Sequence, residues 1–214
     1  MARAATRTGR GERRQAAILK AATAVFIDRG FAGATLDDVI ARSGGSRATI
    51  YAQFGNKEGL FAAIIGELCA RMLIPLSDAI QAGRAPLLAL TDFAVPFMRT
   101  LMTPTSLALY RLVIAEGHRF PELAERVFRA GPDAAATRVA DYLRNETARG
   151  RLRVDRPDVA ARAFLEMIKG DLHTRALFSL TPMASTREID RCARDAVRLF
   201  LDGCARPAGS STIG

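Results

Sequence analysis

The stretch GGSRATIYAQFGNKEGLF, residues 44–61, contains the strongest local signal for a fold in this chain. Its first two glycines can take the positive φ that ends a helix, and Ser46 can cap a new helix by accepting a hydrogen bond from the backbone N–H near Thr49. Ile50 and Phe54 are four residues apart, so both should face inward. The outer face of this short helix is then polar and carries Arg47, Thr49, Tyr51 and Gln53.

The residues on either side predict further helices. Apolar residues recur at helical spacing before Gly30, which can end the first helix. Thr35 can cap a short second helix, with Asp38 in its first turn, and Asn56 can cap a longer fourth one. The predicted helices cover about residues 11–29, 36–43, 46–53 and 57–81.

Two short helices joined by a tight glycine turn form a helix-turn-helix, whose second helix fits the major groove of DNA. Arg47 can bond a guanine edge or a phosphate, and the hydroxyls of Thr49 and Tyr51 can reach phosphates. Lys57, in the first turn of the fourth helix, opposes the helix dipole, and a nearby phosphate would relieve that penalty. The alternative is a helical hairpin with a solvated polar face.

The charge distribution also favours a polyanionic partner near the N-terminus. The net charge is +9, and residues 1–60 carry 10 basic and 5 acidic side chains. Neutralising phosphates releases counterions, so a concentrated positive field promotes DNA binding. A basic tail that only aids solubility is the alternative. Residues 1–10 are predicted to form a flexible basic arm.

Composition excludes several other classes of protein. Hydrophobic residues make up 49% and charged residues 25% of the 214 residues, as in soluble globular proteins. No apolar run is expected to approach the ~18–20 residues that cross a bilayer, because charges or prolines interrupt each one. The three cysteines form no metal-binding pattern, and His118 and His173 each stand alone. We therefore expect a cytoplasmic protein with no cofactor, no metal and no membrane partner.

An enzyme in a helical scaffold is a weak rival interpretation. Glu116 with His118, or Asp171 with His173, would supply a carboxylate and an imidazole. Neither pair has a visible third group to orient it, nor a nucleophile at a suitable spacing. The sequence therefore predicts that the protein is not an enzyme and has no catalytic residues.

The N-terminal pattern resembles the DNA-binding domain of the tetracycline-repressor (TetR) family, over roughly residues 12–61. The resemblance rests on the run Ile18-Leu19…Ala21-Ala22…Phe26…Gly30-Phe31…Thr35…Ile40-Ala41…Ser46…Thr49-Ile50-Tyr51…Phe54…Lys57-Glu58…Leu60. It implies an all-α, homodimeric transcriptional regulator, usually a repressor, with a divergent C-terminal ligand-binding domain. By that resemblance, the positions that touch DNA are Thr35, Ser46, Arg47, Ala48, Thr49, Tyr51, Gln53 and Lys57.

Three residues depart from those that are frequent in this family, namely Gly45, Ala48 and Ala52. The two alanines offer DNA only a methyl group, so base selection should depend on Arg47, Gln53 and DNA shape.

The predicted domains are a helix-turn-helix domain over residues 11–56, a helical ligand-binding and dimerisation domain over 57–205, and a disordered tail over 206–214. The helices expected in the second domain cover about residues 86–102, 104–116, 121–149, 157–180 and 185–203. The segment ALYRLVIAEGHRFPELAERVF, residues 108–128, also resembles the C-terminal domain of AefR-like regulators in this family.

Two sets of residues are candidates for ligand and subunit contacts in the C-terminal domain. An apolar pocket with a few polar groups suits a small molecule, although the same stripes are typical of plain core. Its candidate lining is Phe93, Phe97, Leu101, Tyr110, Ile114, His118, Phe164, Met167 and Ile168. The last two helices are apolar on two sides, which indicates a second subunit as one packing partner. The candidate interface is Val159, Ala163, Met167, Gly170, Ile189, Cys192, Ala196, Val197, Phe200 and Leu201.

The sequence thus predicts a ligand-responsive transcriptional regulator, most simply a repressor. It would bind a palindromic DNA operator as a homodimer and be released by a small apolar effector. The alternative is a nucleic-acid-binding helical protein or adaptor that senses no small molecule.

Overall fold

The computed structural model describes residues 2–204, and for residues 2–10 and Cys204 it describes the backbone only. The predicted tail over 206–214 lies outside the described residues. The predicted flexible arm over 1–10 falls on residues whose side chains are not described, and it stays a prediction.

Every regular element among residues 2–204 is helical, which confirms the predicted all-α class. A five-residue π-helical segment, Arg129–Asp133, lies between α7 and α8. The α-helices are α1 Ala2–Gly33, α2 Leu36–Ser43, α3 Arg47–Phe54, α4 Lys57–Gln81, α5 Pro86–Leu101, α6 Pro104–Glu116, α7 Pro121–Phe128, α8 Ala134–Ala148, α9 Pro157–Leu177 and α10 Thr186–Cys204.

The chain forms two compact units. The N-terminal unit contains the described chain up to Leu68 together with Ala108–Gly131, and the C-terminal unit contains Cys69–Leu107 and the chain from Pro132 onward. Helix α4 therefore contributes its first half to one unit and its second half to the other. The N-terminal unit also includes most of α6 and all of α7, which sequence analysis had placed with the C-terminal domain.

The core of the N-terminal unit is built on aromatic rings. Phe26 packs against Phe61 with ring centroids 5.0 Å apart, and Phe31 packs against Phe120 at 5.0 Å. Ile50 of α3 is fully buried in the same core. Offset and edge-to-face ring pairs add to the hydrophobic stabilisation from burial, so this cluster provides a firm base for α2 and α3.

Four helices, α5, α8, α9 and α10, build most of the C-terminal unit. Helix α10 packs against α5 and α9, and α8 packs against α9. Between α5 and α10, Arg99 donates two hydrogen bonds of 2.6 Å, from Nε and from NH2, to the two carboxylate oxygens of Asp190. Planar two-point contacts of this kind are strong and directional, so they hold the two helices in register.

The single helix predicted over residues 121–149 is wrong. It is divided into α7, the π segment and α8. Pro132 lies inside the π segment and has no backbone N–H to donate. A Cβ on Gly131 would lie only 2.8 Å from the Cγ2 atom of Ile65, so the chain approaches α4 at a glycine. Helical periodicity in the sequence does not reveal a local change of this kind.

Helix α4 corrects the expectation about apolar runs. It contains an 18-residue stretch with no more than two charged residues, and by length and composition alone it could cross a membrane. Buried core helices of soluble proteins pass the same test, and Leu60, Phe61 and Leu76 of α4 are buried in the two units. Of that 18-residue stretch, 39% is buried in the structure.

Candidate nucleic-acid interface

The start of α2 is held by a capping box. Thr35 Oγ1 accepts a hydrogen bond of 3.2 Å from Asp38 N, and Asp38 Oδ2 accepts one of 3.0 Å from Thr35 N. The Thr35 hydroxyl also donates to Asp38, at 2.7 Å. These bonds from Thr35, followed by the charge of Arg29, hold the pKa of Asp38 below its ordinary value. The predicted cap at Thr35 is thus confirmed, and it satisfies backbone donors that the helix leaves free.

The turn between α2 and α3 relies on one left-handed glycine. Gly44 has φ 67° and ψ 18°, and its N–H donates to Ile40 O at 3.0 Å. Gly45, in contrast, does not have a positive φ. Ser46 caps α3 by accepting a 3.2 Å bond from Thr49 N, and its hydroxyl lies 2.8 Å from that of Thr49. The cap predicted at Ser46 is therefore present.

Helix α3 buries one side and exposes the other. Ile50 is fully buried, and the half-buried Phe54 packs against the same core. Four candidate residues on the opposite side are exposed, namely Arg47, Ala48, Tyr51 and Gln53, whereas Thr49 is half-buried. The tyrosine is 51% exposed, so its hydroxyl is accessible to a partner. The arrangement can present a short polar surface to a groove of DNA.

Arg47 has a partner within the protein that sequence analysis missed. Its Nη2 atom donates a hydrogen bond to the Oδ2 atom of Asp37, the second residue of α2. The two side chains are 63% and 64% exposed. The hydrogen bond from Arg47 to Asp37, and then the charge of Asp37, raise the pKa of Arg47. The pair links the beginnings of α2 and α3, ten residues apart in sequence.

Lys57 also has partners within the protein. Its Nζ atom donates to the carbonyls of Phe31 at 2.7 Å and Ala34 at 3.1 Å, and lies 4.6 Å from the centre of the Phe31 ring. A cation is favourable beside unpaired carbonyls and over an aromatic face. No phosphate is therefore needed to relieve an unfavourable position of Lys57, which corrects the reasoning from the dipole. A DNA contact by Lys57 stays a prediction.

The junction between α3 and α4 depends on a glycine that the sequence did not single out. Asn56 caps α4 as predicted, since its Oδ1 atom accepts a 2.8 Å bond from Gly59 N. A Cβ on Gly59 would lie 2.0 Å from the backbone oxygen of Phe54. Only glycine fits such a contact with backbone, so Gly59 sets how closely the start of α4 approaches the end of α3.

The candidate ligand residues fall into two groups. Four are buried in the C-terminal unit, namely Phe93, Phe97, Phe164 and Ile168, while Leu101 and Met167 are half-buried. The centroid of the Phe93 ring lies 5.2 Å from that of the Phe97 ring and 6.4 Å from that of the Phe164 ring. The other three lie in the N-terminal unit: Tyr110 is half-buried and Ile114 exposed on α6, and His118 is exposed in the turn after α6.

The candidate dimer residues also divide. Ile189, Val197 and Phe200 are buried within the protomer, and the Phe200 ring lies 4.7 Å from that of Phe164. Val159, Ala163 and Gly170 are exposed on α9, whereas Met167, Cys192 and Leu201 are half-buried and Ala196 is buried. A groove of about 630 Å³ between α9 and α10 is lined by residues that include Met167, Cys192, Ala196 and Leu199. Leu199 is 66% exposed and was missed by sequence analysis.

Comparison with solved structures shows the same fold elsewhere. A TetR-family transcriptional regulator from Mesorhizobium loti is 27% identical, with a TM-score of 0.76 over 91% of this chain and 98% of that one. The flavonoid-responsive regulator FrrA is 29% identical, with a TM-score of 0.68 over 92% of this chain and 100% of that one. A TetR regulator from Agrobacterium tumefaciens is 25% identical, with a TM-score of 0.68 over 89% and 94% of the chains.

None of the curated proteins compared with the chain matched it significantly. Two family models do match. The model for bacterial regulatory proteins of the tetR family covers residues 18–64, and the model for the C-terminal domain of AefR-like transcriptional repressors covers residues 88–204. Both describe DNA-binding transcription factors, which are not enzymes. The chain therefore belongs to the TetR family of transcriptional regulators, with a C-terminal domain of the AefR-like type.

Proposed function

We propose that this regulator is a repressor that binds a palindromic operator as a homodimer and is released by a small apolar effector. The observation that carries the DNA-binding part is the exposed polar face of α3, supported on the buried Ile50 and started by the Ser46 cap. Arg47 and Gln53 would read base edges, and Thr49 and Tyr51 would contact phosphates. Thr35, Ser46, Ala48 and Lys57 complete the proposed contact surface.

A homodimer follows from the requirements of DNA recognition. One eight-residue helix makes few contacts, whereas two copies about 34–36 Å apart read successive major grooves. The outward faces of α9 and α10 are the best support for a two-fold interface, because Val159 is 49% and Leu199 66% exposed there. A two-fold interface uses the same patch on both subunits. We therefore place the contact at the exposed and half-buried residues of the candidate set, with Leu199 added.

Replacing Leu199 tests the dimer. The Leu199→Arg change would place a charge in an apolar interface, so the protein should sediment as a monomer at micromolar concentration and lose operator binding. Leu88→Arg is the matched control, because Leu88 is a 54% exposed leucine on α5. A dimer that persists in Leu199→Arg, or dissociates equally in both variants, would contradict this placement.

Operator selectivity tests the reading helix. Selecting bound fragments from genomic DNA should yield a palindromic site bound more than about 10³-fold more tightly than random duplex. Arg47→Ala should then weaken operator binding by about 5- to 150-fold. It should also relax base selection at one position in each half-site. Arg42→Ala is a control of equal charge on the neighbouring α2, where Arg42 pairs with Asp28. Equal binding to selected and random duplexes would reject the proposal.

An apolar effector is supported by the buried aromatic cluster of Phe93, Phe97 and Phe164 in the C-terminal unit. The name of FrrA describes a flavonoid-responsive protein with the same fold, which makes planar aromatic compounds a reasonable first panel. A coupling of roughly 1–3 kcal/mol would weaken operator binding about 5- to 150-fold.

Titrating flavonoids and other apolar compounds against the protein–operator complex measures this coupling. Release by one compound, reduced in a Phe97→Ala variant that still binds operator, is the expected result. Specific operator binding that no compound alters would instead favour the alternative, a DNA-binding helical protein without small-molecule sensing.

A cytoplasmic location is proposed because the operator is DNA.

A further inference from the structure

The carboxylate of Asp37 is placed to act on the reading helix. Of the two acidic residues that begin α2, Asp38 is engaged by the cap with Thr35 and by an ion pair with Arg29 at 2.7 Å. Asp37 instead contacts Arg47, the first residue of α3. Both side chains of this pair are about two-thirds exposed, so the contact is open to competition from solvent and from other anions.

At the operator a guanine edge, and on any other duplex a phosphate, competes with the Asp37 carboxylate for the same guanidinium. Each of these groups offers acceptor atoms that match the planar donor geometry of arginine. When Arg47 turns to DNA it must leave Asp37, so the free energy of that ion pair is subtracted from the free energy of DNA binding. The protein therefore contains its own competitor for a DNA-contacting residue.

We propose that Asp37 is an affinity-setting residue, which weakens DNA binding by holding Arg47 in the free protein. The inference rests on the proposed function and extends it to the strength of operator binding. An effector that loosens the complex only about 5- to 150-fold can clear a promoter only if the starting affinity is moderate. Asp37 keeps it moderate without removing the arginine that reads the site.

The test compares operator affinities of four variants of the full-length chain with that of the wild type. Asp37→Asn removes the competing charge and should tighten binding about two- to fivefold per half-site, or about 4- to 25-fold for a dimer with two pairs. For random duplex, a plot of the logarithm of the binding constant against the logarithm of the salt concentration should become steeper by about 0.9 per subunit, because the released arginine neutralises one more phosphate.

Asp28→Asn is the matched control. It removes one negative charge from the same unit and breaks an exposed pair of similar exposure, but its partner, Arg42, lies outside α3. The other two variants are Arg47→Ala and the double change of Arg47→Ala with Asp37→Asn. If Asp37 acts through Arg47, Asp37→Asn should tighten operator binding more than Asp28→Asn does in the wild-type background. In the Arg47→Ala background, the gain from Asp37→Asn should shrink to the gain that Asp28→Asn gives in the wild type.

Three results would overturn the inference alone while the operator is still selected normally. These are equal effects of Asp37→Asn and Asp28→Asn, an Asp37→Asn effect that persists without Arg47, and weaker binding by Asp37→Asn. The last would mean that Asp37 orients Arg47 for reading instead of competing with DNA. A wild-type protein that selects no duplex would overturn the proposed function, and this inference with it.

Discussion

Replacing Lys57 by methionine should destabilise the protein, because the ammonium group links the start of α4 to the end of α1. Methionine keeps the apolar stem of the side chain but removes hydrogen bonds to two carbonyls, at 2.7 and 3.1 Å, and the contact with the Phe31 ring at 4.6 Å. Hydrogen bonds to charged groups contribute roughly 1.5–3 kcal/mol, and a cation–π contact about 0.5–1 kcal/mol. Since Lys57 is only half-buried and water screens its contacts, we expect less than the sum of these contributions, about 2 kcal/mol.

Urea unfolding followed by circular dichroism measures this loss. Protein concentration must be held constant, because the proposed dimerisation would add to the apparent stability. Lys20→Met is the control, since Lys20 is exposed on α1 in the same unit and loses the same charge. Exposed substitutions away from special contacts usually change the free energy of unfolding by less than about 0.5 kcal/mol.

The same variant separates a structural role for Lys57 from a phosphate contact. A lysine that served only as a phosphate contact would leave the free energy of unfolding unchanged on replacement, and would lower the salt dependence of DNA binding by about 0.9 per subunit. If Lys57→Met and Lys20→Met have the same free energy of unfolding, the reasoning from the carbonyl contacts is refuted.

Other substitutions probe the remaining close contacts. Gly59→Ala should lower the free energy of unfolding by about 3 kcal/mol, because its Cβ would lie 2.0 Å from the backbone oxygen of Phe54. Gly33→Ala, whose Cβ would have its nearest contact at 3.9 Å, should fold normally, and thermal unfolding compares the two variants. Arg99→Met should cost about 1–3 kcal/mol at pH 7, since the 8% exposed Asp190 loses its two-point partner. The bond from Arg99 lowers the pKa of Asp190, so this cost should shrink as the pH falls through the folded-state pKa; a cost that is constant with pH would contradict the pairing. Burial lowers the pKa of His173 to about 4, below the ordinary 6.5, so the unfolded chain binds the proton more readily than the folded one. The free energy of unfolding should therefore fall by at most about 3 kcal/mol as the pH drops from about 6.5 to 4. Replacing His173 by leucine should flatten that part of the stability profile, and an unchanged slope would show that another group titrates there.

The helix-turn-helix could be predicted because its signals are local. The caps at Thr35, Ser46 and Asn56 each act within three residues, and the left-handed Gly44 follows the last turn of α2 directly. Such contacts form wherever the neighbouring residues allow them, whatever the rest of the chain does. The short amphipathic helix that they delimit, with Ile50 on its inner side, was predictable for the same reason.

The contacts of Arg47 and Lys57 within the protein could not be predicted in the same way. The Asp37–Arg47 pair spans ten residues, and the contact from Lys57 to Phe31 spans 26. The sequence contains many other oppositely charged pairs at comparable separations, and spacing does not choose among them. The directions of the helices choose the pairs, and those directions are set by packing on the common core.

The C-terminal helices show the same division of information. Hydrophobic periodicity located α9 and α10, but it treated both apolar faces of each helix as equivalent. Packing separates them, since Phe200 and Val197 are buried against the protomer core whereas Leu199, their neighbour in sequence, remains exposed.

Sequence alone determined the helix-turn-helix, the caps at Thr35, Ser46 and Asn56 and the polar character of α3, because those properties arise from residues within one or two turns of each other. Tertiary structure alone decided that Arg47 contacts Asp37, that Lys57 contacts carbonyls at the end of α1, and which face of α10 stays exposed. These depend on how helices distant in sequence pack together, and the free energy of burying the common core governs that packing.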